Sequence, residues 1–163
     1  MIWAGMRGNG EIHWRFIDDY YVTELTVNRF VYLRLLMDVL PEIYEGGQSW
    51  VQDNAKPHQA HIVRQFLDRY GIWVLPHPAK SPDLNAIEHL WLRLKETVHR
   101  LHPELAEMGL PGDVRMQLFR DAIREAFEEL QSIEDWDLPE RLARSMPRRL
   151  EAVRRAHGAQ TKY

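Results

Sequence analysis

Two carboxylates stand where this chain could do chemistry. Asp53 closes the segment Trp50-Val51-Gln52-Asp53-Asn54, with His58 shortly after it. Glu88 lies in Ser81-Pro82-Asp83-Leu84-Asn85-Ala86-Ile87-Glu88-His89-Leu90-Trp91, and thirty-four residues separate the two acids. The pattern puts Asp53 at the end of an apolar strand and Glu88 in the first turn of an amphipathic helix. Carboxylates on such elements can be brought together to hold divalent metal for phosphodiester chemistry. A third carboxylate would be expected upstream, and the chain before Asp53 looks too short to supply it.

Each acid also has a plainer reading. Asp-Asn before a helix is good capping or turn chemistry. Asn85 at an N-cap with Glu88 three residues on makes an Asn version of the capping box. The two readings of Glu88 are compatible, because a carboxylate at a helix start is held rigidly, as a metal ligand must be. Lys95 and His99 fall within about 20° of the Glu88 direction at 3.6 residues per turn, with Leu92 interrupting that face. They form either a phosphate-facing edge or an ordinary solvent face. His58 and His61 share a helix face but lack further zinc ligands, so His58 is better placed to orient a carboxylate or contact substrate. The tryptophans at periodic positions, Trp73 and Trp91 included, read most simply as core, and base stacking on one of them is the alternative.

The elements that must position these residues read as an α/β chain. Ile2–Met6 is a strand, Arg7-Gly8-Asn9-Gly10 a turn with a strong hairpin signal, and 11–17 the return strand. Helical spacing of apolar residues covers 23–43. A short strand over 49–52 ends at Asp53. A helix over 57–70 starts at Pro57 and stops at Gly71. A strand over 72–75 and a proline-rich loop lead to a helix over 85–101. Further helices follow over 113–131 and from near Leu138 to before Gly158. Strand–helix–strand connections of this kind favour a mixed sheet with helices on its faces, with sites at the carboxyl ends of the parallel strands.

Composition narrows the rest. At 163 residues and 45% hydrophobic, with six tryptophans, the chain has room for a real core. It has no cysteine, which excludes disulfides, thiolate metal sites and cysteine nucleophiles. No apolar run approaches the ~20 residues that span a bilayer, and the start does not read as a signal peptide. Net charge is −3, but 139–163 carries seven Lys and Arg against two Glu. That basic tail, with Arg148 and Arg149, is either a phosphate-tracking surface or a solvated helix end. Glycine-rich phosphate loops, nucleophile elbows and His-Glu-x-x-His are absent.

Gln52-Asp53-Asn54-Ala55-Lys56-Pro57-His58, and Leu75-Pro76-His77-Pro78-Ala79-Lys80-Ser81-Pro82 continuing through Trp91, closely resemble the catalytic domain of mariner-type DDE transposases. The likeness extends over roughly 1–100. It implies a ribonuclease-H-like mixed sheet flanked by helices, lacking the first strand, with appended C-terminal helices. The implied division is a partial catalytic domain over 1–105 and a helical extension over 106–163. By resemblance Asp53 and Glu88 are the second and third acids of the catalytic triad and metal ligands, while Asn54 and His58 occupy supporting polar positions. Lys95, His99, Arg148 and Arg149 are candidate DNA contacts. The implied cofactor is Mg²⁺ or Mn²⁺, two ions in the complete site. The implied partners are transposon-end and target DNA and a homodimer or full-length transposase, with a nuclear location and no membrane.

Two departures matter. Ala86 stands where the family usually has proline, a change of little cost at a helix start. The family's first catalytic aspartate lies on a strand upstream of the Ile2–Met6 match, so the chain is expected to be inactive alone. Asp18 and Asp19 align with a later strand end and are weak substitutes. The missing strand is central in that sheet, which predicts a rearranged sheet, pairing with another chain, or poor stability. The alternative function is a non-catalytic DNA- or transposase-binding module.

Overall fold

The computed structural model describes residues 1–20, 26–79, 81–106, 112–132, 137–159 and 161–163. Strands β1 (Ile2–Met6) and β2 (Ile12–Phe16) form an antiparallel hairpin that pairs Ala4 with Trp14. The three residues between Arg7 and Glu11 close it: Arg7 N–H donates to Glu11 O at 2.9 Å, and Gly10 takes φ 100°, where a side chain would be strained. Helix α1 (Arg29–Ile43) starts later than the periodicity suggested. Asn28 Oδ1 accepts from the N–H groups of Phe30 (2.8 Å) and Val31 (3.1 Å), and that cap fixes the helix start. Of the expected span 23–43, residues 23–25 lie outside the described residues.

Strand β3 (Ser49–Trp50) runs parallel to β4 (Trp73–Val74), joined through helix α2 (His61–Arg69). The expected helix start at Pro57 does not hold. Ala60 is extended, with ψ 137°, and 56–59 form a separate turn. Gly71, at φ 65°, ends α2 with Ile72 N–H bonded back to Leu67 O at 2.9 Å. A 3-10 turn (Pro82–Leu84) precedes α3 (Ile87–Leu101), followed by α4 (Gly112–Ser132) and α5 (Leu138–Arg155). None of the described helices is long and apolar enough to cross a membrane.

Helices pack on both faces of the strands. One core gathers Tyr32, Leu35, Leu36 and Val39 of α1 with Val63 and Leu67 of α2, backed by Trp3 and Trp50. The other gathers Leu94 of α3 with Ala126, Phe127 and Leu130 of α4, backed by Ile2 and Trp14. The β1–β2 hairpin is therefore shared, Trp3 facing one core and Ile2 the other, as alternation along a strand requires. Trp73 is a correction to the core reading: it is 68% exposed, on the rim of an open groove that it shares with His61 and Arg64 of α2, outside both core clusters.

The sheet is divided. Among the described residues β1–β2 and β3–β4 are separate two-stranded ladders. The bonds Ile17 N–H to Met1 O and Arg7 N–H to Glu11 O turn the main-chain groups of odd-numbered residues toward β2. The main-chain groups of Ile2, Ala4 and Met6 therefore point to the other edge of β1. Among the described residues no strand pairs with that edge, so the two ladders are split and not re-paired with each other.

His102 ties the end of α3 to α4. Its Nδ1 lies 3.1 Å from Glu104 and its Nε2 3.0 Å from Glu125. Burial opposes protonation, but the bonds to Glu104 and Glu125 outweigh it and raise the imidazole above its ordinary value. A raised pKa in the folded state stabilises fully below about pH 6.5, and the contribution is lost as pH climbs through the raised value. The urea midpoint should fall between about pH 6 and 8. His102→Gln should flatten that slope. An equal slope in the variant would assign the dependence elsewhere.

Candidate functional site

The site is built on the loops that leave β3 and β4. Past Trp50 the chain runs without regular secondary structure to Asp53, whose carboxylate is exposed. Asp53 Oδ1 accepts the N–H of Ala55 at 3.0 Å and lies 2.7 Å from His58 Nδ1. The His58 ring in turn rests against Tyr32, centroid to centroid 4.3 Å. Behind it Gln52 is 9% exposed. Its Oε1 accepts from the Tyr32 hydroxyl (2.8 Å) and from Trp50 Nε1 (3.1 Å), and its Nε2 reaches His58 O at 3.4 Å. Burial first, and the Asp53 charge second, push the Tyr32 phenol well above its ordinary value. Tyr32 is therefore a fixed neutral donor. Asp53 thus sits on a turn braced through Gln52, which takes one buried hydrogen bond from Tyr32 of α1, a rigidity that a cap alone would not need.

Asn54 supplies the link between the two loops. Its Nδ2 donates to His77 O at 2.8 Å, and its Oδ1 accepts from Gln59 Nε2 at 2.9 Å. His77 follows β4, the strand that lies parallel to and beside β3. The loops that lead to Asp53 and toward Glu88 therefore leave the same edge of the parallel pair and are bonded to each other there.

Glu88 is exposed in the first turn of α3. The expected capping box is not formed. Ala86 is the N-cap and makes no side-chain cap bond. Asn85 Nδ2 instead donates to Glu88 Oε1 at 3.2 Å, while Glu88 N–H bonds to Asn85 O at 3.1 Å. Helical φ/ψ at Ala86 shifts the start by one residue, so the carboxylate is oriented by a side-chain amide. From Glu88 a cleft of about 560 Å³ runs along α3 past Trp91, Lys95 and His99, with Arg115 and Phe119 on its α4 wall. Glu88, Lys95 and His99 thus share one surface, as their helical angles require.

The other expected contacts divide. Arg148 is exposed. Arg149 is not available to an external phosphate. It is 3% exposed, and its guanidinium donates to Ser145 Oγ (2.7 Å) and Asp83 O (2.8 Å). Much of the basic tail is paired within α5 or beside it: Arg141 with Asp137, Arg144 with Glu140, and Arg154 and Arg155 with Glu151. The two arginines hold the Glu151 carboxyl down to about 2. His61 lines a different groove, with Arg64 and Trp73, and does not join His58.

Asp53 and Glu88 offer hard oxygen donors of the type that Mg²⁺ or Mn²⁺ takes. Among the described residues no group of three or more His, Asp or Glu could hold a metal ion. Asp18 is engaged elsewhere, with the Met1 amine at 3.0 Å and Arg120 at 3.6 Å. The side chain of Asp19 lies outside the described residues. Sequence reasoning gave no role to Tyr32 or Asp83, and passed over Gln52 although it stands in the motif. A buried tyrosine on an apolar helix face carries no mark of its partner twenty residues away.

Comparison with known proteins adds the following. The model of a family described as DDE superfamily endonuclease matches residues 6–108. The Tcb1 transposase of Caenorhabditis briggsae is 31% identical over 142 residues, covering 85% of this chain and 47% of the relative. The Tc1 transposase of Caenorhabditis elegans is 33% identical over 117 residues, covering 72% of this chain and 38% of the relative. The chain thus spans about half the length, or less, of these curated relatives. The crystal structure of the Mos1 mariner transposase catalytic domain superposes with a TM-score of 0.61 at 23% identity, covering 84% of this chain and 65% of that one. The same domain with Raltegravir and Mn gives 0.60 at 25% identity, covering 84% and 66%. The fold is therefore ribonuclease-H-like.

Proposed function

Because the chain belongs to the DDE superfamily endonuclease family, we propose that it is a catalytic-domain segment of a Tc1/mariner-type transposase. In this reading Asp53 and Glu88 are two of the carboxylates that hold Mg²⁺ or Mn²⁺ for cleavage and joining of transposon-end DNA. The observation that carries it is the pair of acid-bearing loops leaving one edge of the parallel strands, bonded through Asn54 and His77.

The bound metal would supply an activated water or 3′ hydroxyl and stabilise the leaving oxygen. The chain's own residues hold the geometry. His58 and the Ala55 N–H fix Asp53, Asn85 fixes Glu88, and Lys95 and His99 offer donors to phosphate along the cleft. The third carboxylate of this reading would sit on a further strand, and the edge of β1 that carries the main-chain groups of Ile2, Ala4 and Met6 pairs with no strand among the described residues. That strand comes from a longer form of the protein or from a full-length partner. DNA as substrate, a homodimer and a nuclear setting belong to the same reading.

The test is cleavage of transposon-end DNA with Mn²⁺, by this chain alone and by a form extended upstream through an aspartate-bearing strand. The extended form should nick and the chain alone should not. Robust cleavage by the chain alone, lost in Asp53→Ala, would mean that some other group completes the site. The lack of a three-ligand group among the described residues favours a second reading, a non-catalytic module that binds DNA or a transposase. Salt-sensitive DNA binding that survives Asp53→Ala and Glu88→Ala, with no cleavage in the extended form, would select it.

A further inference from the structure

Helix α5 stands well apart in sequence from the motifs of the site, yet its most buried cation reaches them. Arg149 Nε donates to Ser145 Oγ at 2.7 Å, and the serine hydroxyl donates to Leu142 O at 2.6 Å. A second guanidinium nitrogen donates to Asp83 O at 2.8 Å, across sixty-six residues of sequence. The Tyr163 ring lies 4.7 Å from the guanidinium carbon. Asp83 is itself only 4% exposed, and its Oδ2 accepts the N–H of Thr161 at 2.7 Å. The bonds from Thr161 come first in holding the Asp83 carboxyl below its usual range.

The turn seized in this way is Pro82–Leu84, and the residue that follows it is Asn85. Asn85 holds Glu88 through its side-chain amide. A continuous path therefore runs from α5 through Arg149, Asp83 and Asn85 to the Glu88 carboxylate. Desolvating a guanidinium is expensive, and replacing a buried ionic group together with its partners by apolar side chains is often neutral for stability. What the cation adds is direction: a planar fork accepts its partners in one geometry.

We infer that Arg149, with the 161–163 segment, is a positioning latch that sets the orientation of Glu88. The inference rests on the reading of Glu88 as a metal ligand, and its test separates the two. Amide hydrogen exchange and Mn²⁺ affinity by water-proton relaxation are measured on the full chain for the parent, Arg149→Met, Arg149→Lys, Asp83→Asn and Glu88→Gln. Arg149→Met should speed exchange at 83–88 by about tenfold or more, the loss of a charge-assisted bond, while α1 amides keep their protection. It should weaken Mn²⁺ binding by a similar factor, with Arg149→Lys recovering part of both. Asp83→Asn keeps the backbone acceptor and should loosen only the Thr161 side of the latch.

Unchanged exchange at 83–88 in a folded Arg149→Met would overturn the latch. So would faster exchange spread evenly over α1 and α3, which would make the arginine a general stabiliser. If Arg149→Met does not fold, Arg149→Lys decides: exchange at 83–88 within twofold of the parent overturns the latch, and a selective rise supports it. If Glu88→Gln leaves Mn²⁺ affinity untouched, the ligand reading fails, and the exchange data then judge the latch by themselves.

Discussion

In a form completed by the upstream strand, Asp53→Asn and Glu88→Gln should each lower Mn²⁺-dependent cleavage by about 10³-fold or more. That corresponds to some 4 kcal/mol of lost transition-state stabilisation. The substitutions are nearly isosteric, so the surroundings are preserved. The amide introduced by Asp53→Asn would still offer an oxygen to the Ala55 N–H, and the one introduced by Glu88→Gln an oxygen to Asn85 Nδ2, the two contacts seen in the structure. What disappears is the negative charge that binds a hard cation. Single-turnover cleavage measured beside urea unfolding distinguishes this from misfolding: the midpoint should move little while the rate collapses. A rate within tenfold of the parent for either variant would remove that residue from the metal site. Removing the metal with a chelator should abolish cleavage in the parent too.

Phe127→Ala should cost about 3–5 kcal/mol, the range for emptying a buried aromatic site. Phe127 is fully buried and lies nearly parallel to Trp14 at 4.7 Å, with an interplanar angle of 7°. Leu94, Ala126 and Leu130 share its cluster. One side chain thus joins α4 to the hairpin and to α3. Against a net stability of about 5–15 kcal/mol for a typical domain, that loss would leave the chain close to its unfolding threshold at body temperature. Val114→Ala on the exposed side of the same helix is the control and should change stability by under about 0.5 kcal/mol. Unfolding of Phe127→Ala in two separated steps, with the α1 core intact in the first, would show that α4 is not part of the same cooperative unit.

Element type was legible because periodicity carries it. The hairpin, the two parallel strands and the five α-helices of the described residues lie where alternation or helical spacing placed them. Element limits were less so. α1 begins at its Asn28 cap, inside a run whose apolar spacing continues upstream. α2 begins at His61, not Pro57, because Asp53 and His58 close a turn between them that only the bonds across the folded site make intelligible. The paired motifs disclosed which acids to watch, and the side chains that brace them stayed hidden. Tyr32 and Arg149 act across long stretches of sequence, and nothing local distinguishes them from a core tyrosine or a basic-tail arginine. Asn85 and Glu88 were seen as a pair, but spacing alone does not say whether the amide caps the helix or grips the acid. Trp73 misled for a related reason: a large apolar residue on a strand is core only when its own side chain is covered, and this one lies on the open rim of a groove beside α2.

The division of the sheet has a practical outcome for handling the protein. An unpaired row of peptide groups adheres to any extended backbone that reaches it and presents the matching pattern, whatever its side chains. At high concentration the readiest such backbone is a second molecule of the same kind. Loss of soluble material should therefore depend on protein concentration far more than on ionic strength, and a short strand-forming peptide added in excess should hold the solution clear where added salt does not.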